Sequence, residues 1–91
     1  MEWQKQRELY IEAAREHLEN YEAEGYSQHI VDIVASVMMT RDDVLQGGGF
    51  VQAICDNDLR GALARADTEC SKYLRVIALA YPFAHIQKLK Q

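Results

Sequence analysis

The sequence is short of cysteine, of positive charge and of long apolar runs, and each shortage excludes a class of protein. Its two cysteines, Cys55 and Cys70, lie in apolar helical patterns, so we expect reduced, buried thiols in a cytosolic protein. The longest apolar run, residues 76–81, is far shorter than the roughly 20 residues that cross a membrane. The N-terminus lacks the charged start and apolar run of a secretory signal peptide. We therefore expect no membrane association.

The charge balance is acidic, with 14 aspartates and glutamates against 10 lysines and arginines and a net charge of −4. A protein that coats nucleic-acid phosphates usually has a basic face. Direct nucleic-acid binding is therefore disfavoured.

The apolar residues recur at helical intervals, and the sequence has no strand alternation and no hairpin signal. We predict an all-α fold: a small bundle of about four to five helices, one domain over residues 1–91, with a long N-terminal helix from Trp3 to about Glu24. A chain of this length buries only ~60–65% of its unfolded surface. Packing between subunits is a natural supplement, so we expect a homo-oligomer.

The first helix should have one apolar stripe and one acidic ridge. Three residues, Glu8, Glu12 and Glu16, fall four apart and form the ridge. They support one functional hypothesis, an acidic regulator or DNA-mimicking inhibitor that acts through the N-terminal helix. The apolar stripe comprises Trp3, Tyr10, Ala14, His17, Leu18 and Tyr21.

The second helix should begin near Gln28 with Ser27 as its N-cap, and it is apolar on more than one face. Thr40 opens a segment that resembles a capping box, so residues 28–46 could form one helix or two. We expect Gly25 to end the first helix and Gly47 to end the second.

Residues 47–82 form a motif region that begins with three consecutive glycines. Because glycine destabilises a helix interior, a new helix should start only at Gly49 or Phe50. Asp58 should cap a short helix over residues 59–66, whose apolar face consists of Leu59, Leu63 and Ala66. Asp67 or Thr68 should cap the last helix, which Pro82 should stop.

No catalytic or metal-binding set can be assembled from spacing alone. None of the histidines, His17, His29 and His85, has another histidine or a cysteine three or four residues away, and neither cysteine has a histidine or cysteine close by. Residues 56–67 superficially fit a calcium loop but place the cation Arg60 where a ligand should be. We expect no catalytic residues, no cofactor and no metal.

The polar residues in and after the glycine run are the candidate binding set. The triple glycine before a helix could cradle an anion, and basic residues at helical spacing could form a patch for a phosphate-bearing ligand. The alternatives are a turn that lets Phe50 pack inward and a solvated face, and the sequence leaves this choice open. The candidate ligand-binding or interface residues are Gly48, Gly49, Asn57, Asp58, Arg65, Asp67 and Lys72.

The C-terminal half contains Gly-Gly-Phe at 48–50, Asn-Asp-Leu at 57–59 and Arg-Ala-Asp at 65–67. In these motifs it resembles small uncharacterised proteins of tailed bacteriophages and prophages. The sequence departs from that pattern at Cys70, where asparagine would be expected, and at Tyr81-Pro82.

The resemblance implies a non-enzymatic phage accessory protein in the host bacterial cytoplasm. It implies no established chemistry, but small phage proteins often act by binding. Together with the expected oligomer, it leads to the hypothesis of a protein that binds a host protein or a small anionic signalling nucleotide to counter bacterial defence.

Overall fold

A computed structural model of the chain describes residues 3–80, which form six α-helices and, within that range, no strand. This confirms the all-α prediction and the long N-terminal helix. The expected stop at Pro82 lies outside the described residues. The helices are α1 (Trp3–Asn20), α2 (Gln28–Arg41), α3 (Gly49–Cys55), α4 (Leu59–Arg65), α5 (Thr68–Lys72) and α6 (Leu74–Ala78).

All six helices contribute buried residues to one core, and the largest share comes from α1 and α2, whose apolar patterns it follows. The predicted stripe of α1 is buried at Tyr10, Ala14, His17 and Leu18, with Tyr21 half-buried. Helix α2 faces neighbours on several sides, as its sequence predicts. Its buried residues are Ile30, Val31, Val34, Ala35, Val37, Met38 and Met39.

Helices α1, α2 and α3 end in the same way, and not at the predicted glycines. The second residue after each of these helices has left-handed backbone angles. These residues are Glu22 (φ 57°), Asp43 (φ 59°) and Asn57 (φ 60°). The next amide donates to the carbonyl five residues earlier, over 2.8 to 3.0 Å, in the pairs Ala23–Leu18, Val44–Met39 and Asp58–Ala53. These are Schellman motifs. The prediction that Gly25 and Gly47 end the helices was wrong.

Residues 28–46 form one helix followed by a loop, which settles the choice left open at Thr40. Helix α2 continues through Thr40 to Arg41. The Thr40 hydroxyl accepts a hydrogen bond from the Gly47 amide at 3.1 Å, so it fixes the loop instead of capping a new helix.

The final helical segment is broken at Tyr73, which explains why there are six helices where about four to five were predicted. Tyr73 has φ −105° and ψ 19°, outside the helical range. Its hydroxyl donates to the Glu24 carbonyl, and its ring packs edge-on against Tyr26 with centroids 6.4 Å apart. The side chain therefore joins the break in the helix to the loop between α1 and α2.

Candidate functional site

Three of the predicted binding residues cap or close helices. The Asp58 carboxylate accepts the Gly61 amide at 3.0 Å and caps α4. The Asp67 carboxylate accepts the Cys70 amide at 2.7 Å and caps α5. Asn57 takes the left-handed position that closes α3. For Asn57 and Asp58 these local roles explain the sequence motif without a ligand.

The other predicted binding residues are Gly48, Gly49, Arg65 and Lys72. Gly48 is the N-cap of α3, and the structure brings Gly49 close to Arg65: a Cβ on Gly49 would lie 3.1 Å from the Arg65 Cδ and Nε atoms. Arg65 donates to the Gly61 carbonyl at 3.1 Å. The Lys72 ammonium lies 5.4 Å from the centroid of the Tyr73 ring.

Helix α4 exposes the two leucines of the apolar face that its sequence defines. Leu59 is 64% exposed and Leu63 is 50% exposed, while Ala62 is the buried residue of the helix. Leu59 also lines a groove of about 180 Å³, whose other lining residues are Ala53, Ile54, Asn57, Asp58, Ala62, Leu74 and Ala78. We call Leu59, Leu63 and this groove the α4 surface.

The rim of the α4 surface includes polar residues. Asn57 and Asp58 line the groove, and Arg60 follows Leu59 on α4; all three are exposed. Protein interfaces commonly combine an apolar centre with a rim of this kind.

The predicted acidic ridge of α1 is exposed at Glu8, Glu12 and Glu16. It is not uniformly acidic, because Lys5 lines the same shallow depression as Glu8 and Glu12. Leu9, which also lines it, is 44% exposed.

A cluster that the sequence analysis missed lies between α2 and α5. His29 Nε2 is 2.9 Å from Asp67 Oδ2 and 3.8 Å from Cys70 Sγ. Asp67 and Cys70 are three residues apart in the chain, but His29 is separated from Asp67 by 38 positions and from Cys70 by 41. Only tertiary packing brings the three together.

The charge states in this cluster follow from its surroundings. Hydrogen bonds from the Cys70 amide, then from the Cys70 thiol and then from the His29 side chain, lower the pKa of the Asp67 carboxyl below its ordinary value. Burial, followed by the nearby Asp67 carboxylate, raises the pKa of the Cys70 thiol to about 12. The free thiol is therefore protonated at neutral pH, which is the opposite of an activated cysteine nucleophile.

Hydrogen bonds of buried and half-buried polar side chains connect α1 and α2 with neighbouring segments. His17 Nε2 lies 2.8 Å from the Val76 carbonyl, and burial lowers the pKa of His17. Tyr10 donates to Asp42 at 2.7 Å, and Arg41 donates to the carbonyls of Ala78 and Ala80. In the described range, every buried side-chain nitrogen and oxygen has a hydrogen-bond partner.

Among the helices of residues 3–80, none is both long and apolar enough to cross a membrane. Comparison of the chain with protein-family models, with curated proteins and with solved structures found no match. The resemblance to phage proteins therefore stays a prediction.

Proposed function

We propose that this chain is a non-enzymatic accessory protein that acts as a homodimer and binds a partner protein. The observation that carries the proposal is the α4 surface, where Leu59 and Leu63 are 64% and 50% exposed and Leu59 lines a mainly apolar groove. Apolar side chains clustered next to a groove, with a polar rim, are characteristic of a contact surface.

A second copy of the chain suits the α4 surface because this surface contains both exposed leucines and a groove that could receive them. In a twofold contact the same patch meets itself, so each copy supplies both parts. Leu59 and Leu63 of one copy would enter the groove of the other. The rim also fits, because Arg60 of one copy could approach Asp58 of its partner, and both residues are exposed.

The resemblance to phage proteins supports a role for the dimer in countering host defence in the bacterial cytoplasm. Of the two ligands it implies, a host protein fits better than an anionic nucleotide. Asn57, Asp58 and Asp67 already close or cap helices. The two carboxylates would also repel a phosphate, because like charges in proximity are unfavourable.

The α1 ridge supports a second candidate, an acidic regulator acting through its N-terminal helix. Glu8 and Glu12 are exposed, and Leu9 between them is 44% exposed. This combination suits binding to a basic protein surface better than imitation of DNA, since Lys5 and Arg7 interrupt the acidic pattern. Replacing Glu8, Glu12 and Glu16 with lysine should then abolish partner capture and leave the dimer intact.

Native mass spectrometry of untagged protein taken from cells tests the proposal, because it reports subunit number and bound molecules together. Each chain has a mass of 10.4 kDa, and we expect the wild type at twice that mass. The double variant Leu59→Glu with Leu63→Glu should be monomeric. The control Leu9→Glu, which changes an exposed leucine on α1, should stay dimeric.

A monomeric wild type, or a dimer that survives the double α4 substitution, would contradict the homodimer. A bound mass equal to that of a nucleotide would replace the host protein with a nucleotide as the ligand.

A further inference from the structure

We infer that His29, Asp67 and Cys70 form a binding site for a divalent transition metal of the zinc type. The inference is independent of the proposed dimer, because the three residues lie on α2 and at the start of α5. One potential ligand atom from each residue lies within 4.8 Å of the other two.

The two elements that carry the ligands are already held together. His29 is in the first turn of α2, while Asp67 is the N-cap of α5 and Cys70 follows three residues later. Next to the cluster, Glu69 accepts hydrogen bonds from the Ser27 hydroxyl at 2.7 Å and from the Ser27 amide at 3.1 Å. An ion would therefore enter a site whose supporting backbone is in place, which favours binding.

The two carboxylate oxygens of Asp67 contact different groups. Oδ1 accepts the Cys70 amide at 2.7 Å and so fixes the side chain at the helix start. Oδ2 faces the His29 ring at 2.9 Å. A metal can take Oδ2 as a single-oxygen ligand without removing the helix cap.

The direction of the contacts favours a metal site over a catalytic triad. In a triad the nucleophile and the carboxylate lie at opposite nitrogens of the histidine ring. Here Cys70 Sγ and Asp67 Oδ2 both approach the same nitrogen, His29 Nε2, at 3.8 and 2.9 Å. The three donor atoms lie within 4.8 Å of one another, so a single ion could contact all three.

The size of the cluster fits zinc after a small adjustment. Zinc binds nitrogen and oxygen at about 2.0–2.2 Å and sulfur at about 2.3 Å, so tetrahedral ligand atoms lie roughly 3.4–3.6 Å apart. The distance from His29 Nε2 to Cys70 Sγ is 3.8 Å, close to that spacing. The distance from Nε2 to Asp67 Oδ2 is 2.9 Å, so the carboxylate would withdraw by about half an ångström to admit the ion.

The donor set selects the class of metal. One thiolate, one imidazole and one carboxylate suit zinc and neighbouring transition metals, whereas calcium and magnesium prefer oxygen ligands. The sulfur is buried, but the side chains of His29 and Asp67 are 48% and 54% exposed. The remaining coordination position thus faces solvent and would hold water. Binding exchanges the thiol proton for the metal–sulfur bond, and the proton passes to solvent.

Titration with cobalt(II) and zinc tests the site, using untagged full-length protein first stripped of metal with EDTA. Cobalt bound by a thiolate in tetrahedral geometry gives a sulfur-to-metal charge-transfer band and visible absorption. We expect one cobalt per chain, displacement by zinc, and a higher melting temperature with zinc. Stabilisation follows because the ion binds the folded state and joins α2 to α5.

Three substitutions and one matched control assign the ligands. His29→Ala should weaken binding by about 100-fold or more, since loss of a direct ligand exceeds the effect of outer partners. Cys70→Ala should remove the charge-transfer band. Asp67→Asn keeps an oxygen that can cap α5 but loses the anionic ligand, so binding should weaken. Cys55→Ala, which replaces the other cysteine, should bind as the wild type does.

The inference is wrong if the wild type takes up no cobalt at one ion per chain. It is also wrong if the charge-transfer band survives in Cys70→Ala or disappears in Cys55→Ala. Because His29 is exposed, its variant remains a folded test even if Cys70→Ala does not fold, and unchanged affinity in His29→Ala would overturn the site.

Discussion

Helix α2 buries seven of its fourteen residues, whereas α4 buries Ala62 alone of its seven. Burial of apolar surface holds α2 against α1, since Ile30, Val34 and Met38 are fully inaccessible. Helix α4 contacts α3 and buries only Ala62, so its position also depends on hydrogen bonds at its ends. The Asp58 cap begins it, the Schellman motif of α3 precedes it, and the Asp67 cap of α5 follows soon after.

This difference separates a region that provides stability from a region that offers a surface. A helix fixed by caps does not need its apolar face for its own stability. Leu59 and Leu63 are therefore available for contact with another molecule.

The strongest test of the comparison replaces one leucine in each region. Leu18→Ala removes a fully buried side chain of α1, so the free energy of unfolding should fall by about 3 kcal/mol. Leu63→Ala changes a half-exposed residue of α4 and should alter it by less than about 0.5 kcal/mol. Urea unfolding, at concentrations too low for self-association, measures both. Equal losses would show that α4 is anchored by burial as well.

Two neighbouring glycines before α3, Gly47 and Gly48, should differ in how much a substitution by alanine destabilises the fold. A Cβ on Gly47 would lie 2.5 Å from Val51 Cγ1 and 2.7 Å from Val51 Cβ, while a Cβ on Gly48 would meet nothing within 4 Å. Gly47→Ala should therefore cost about 2 kcal/mol through overpacking, whereas Gly48→Ala should cost less than about 0.5 kcal/mol. Thermal and urea unfolding compare the two. Similar losses would mean that the glycines serve only the turn.

His17, the buried histidine of α1, should make the free energy of unfolding depend on pH. Burial lowers the pKa of His17 below the ordinary 6.5, so the unfolded chain takes up the proton first. The stabilising contribution is complete above pH 6.5 and is lost as the pH falls through 6.5 towards the folded-state value. The slope cannot exceed about 1.4 kcal/mol per pH unit for one proton.

Urea unfolding of the wild type and of His17→Gln between pH 5 and pH 8 measures this contribution. The variant keeps His29 and His85, so the difference between the two curves isolates His17. Parallel curves would contradict a buried neutral histidine.

The smallest effects on stability should come from the left-handed residues that follow α1 and α3. Glu22→Gly at the end of α1 should raise the free energy of unfolding by about 1 kcal/mol, because a glutamate is strained in left-handed angles. Asn57→Gly at the end of α3 should raise it by only a few tenths of a kcal/mol, because asparagine adopts these angles more readily. Thermal unfolding ranks the two. A loss of stability in Glu22→Gly would show that the side chain has another role.

The features that sequence predicted are those fixed by local chemistry. The α1 stripe follows from helical spacing, and the caps Asp58 and Asp67 follow from short side chains that reach nearby amides. Ser27 was placed correctly at the N-cap position of α2, but its side chain does not cap the helix. Its hydroxyl donates to Glu69 instead, 42 residues away.

The features that sequence missed depend on packing between distant segments. The break at Tyr73 accompanies a contact with Glu24, 49 residues earlier. The spacing of Leu59 and Leu63 defines a face but does not determine whether it points to core or solvent. His29 and Cys70 carry no local signal of their proximity, because the packing of α2 against the start of α5 creates it.

The claim that α4 is a contact surface is tested most directly by nuclear magnetic resonance on a mixture of isotope-labelled and unlabelled chains. Intermolecular nuclear Overhauser effects report only contacts between different copies. The account predicts such contacts between the methyl groups of Leu59 and Leu63 in one copy and those of Ala53 and Ala78 in the other. An absence of intermolecular contacts at millimolar concentration, or contacts that involve Leu9 of α1 alone, would contradict it.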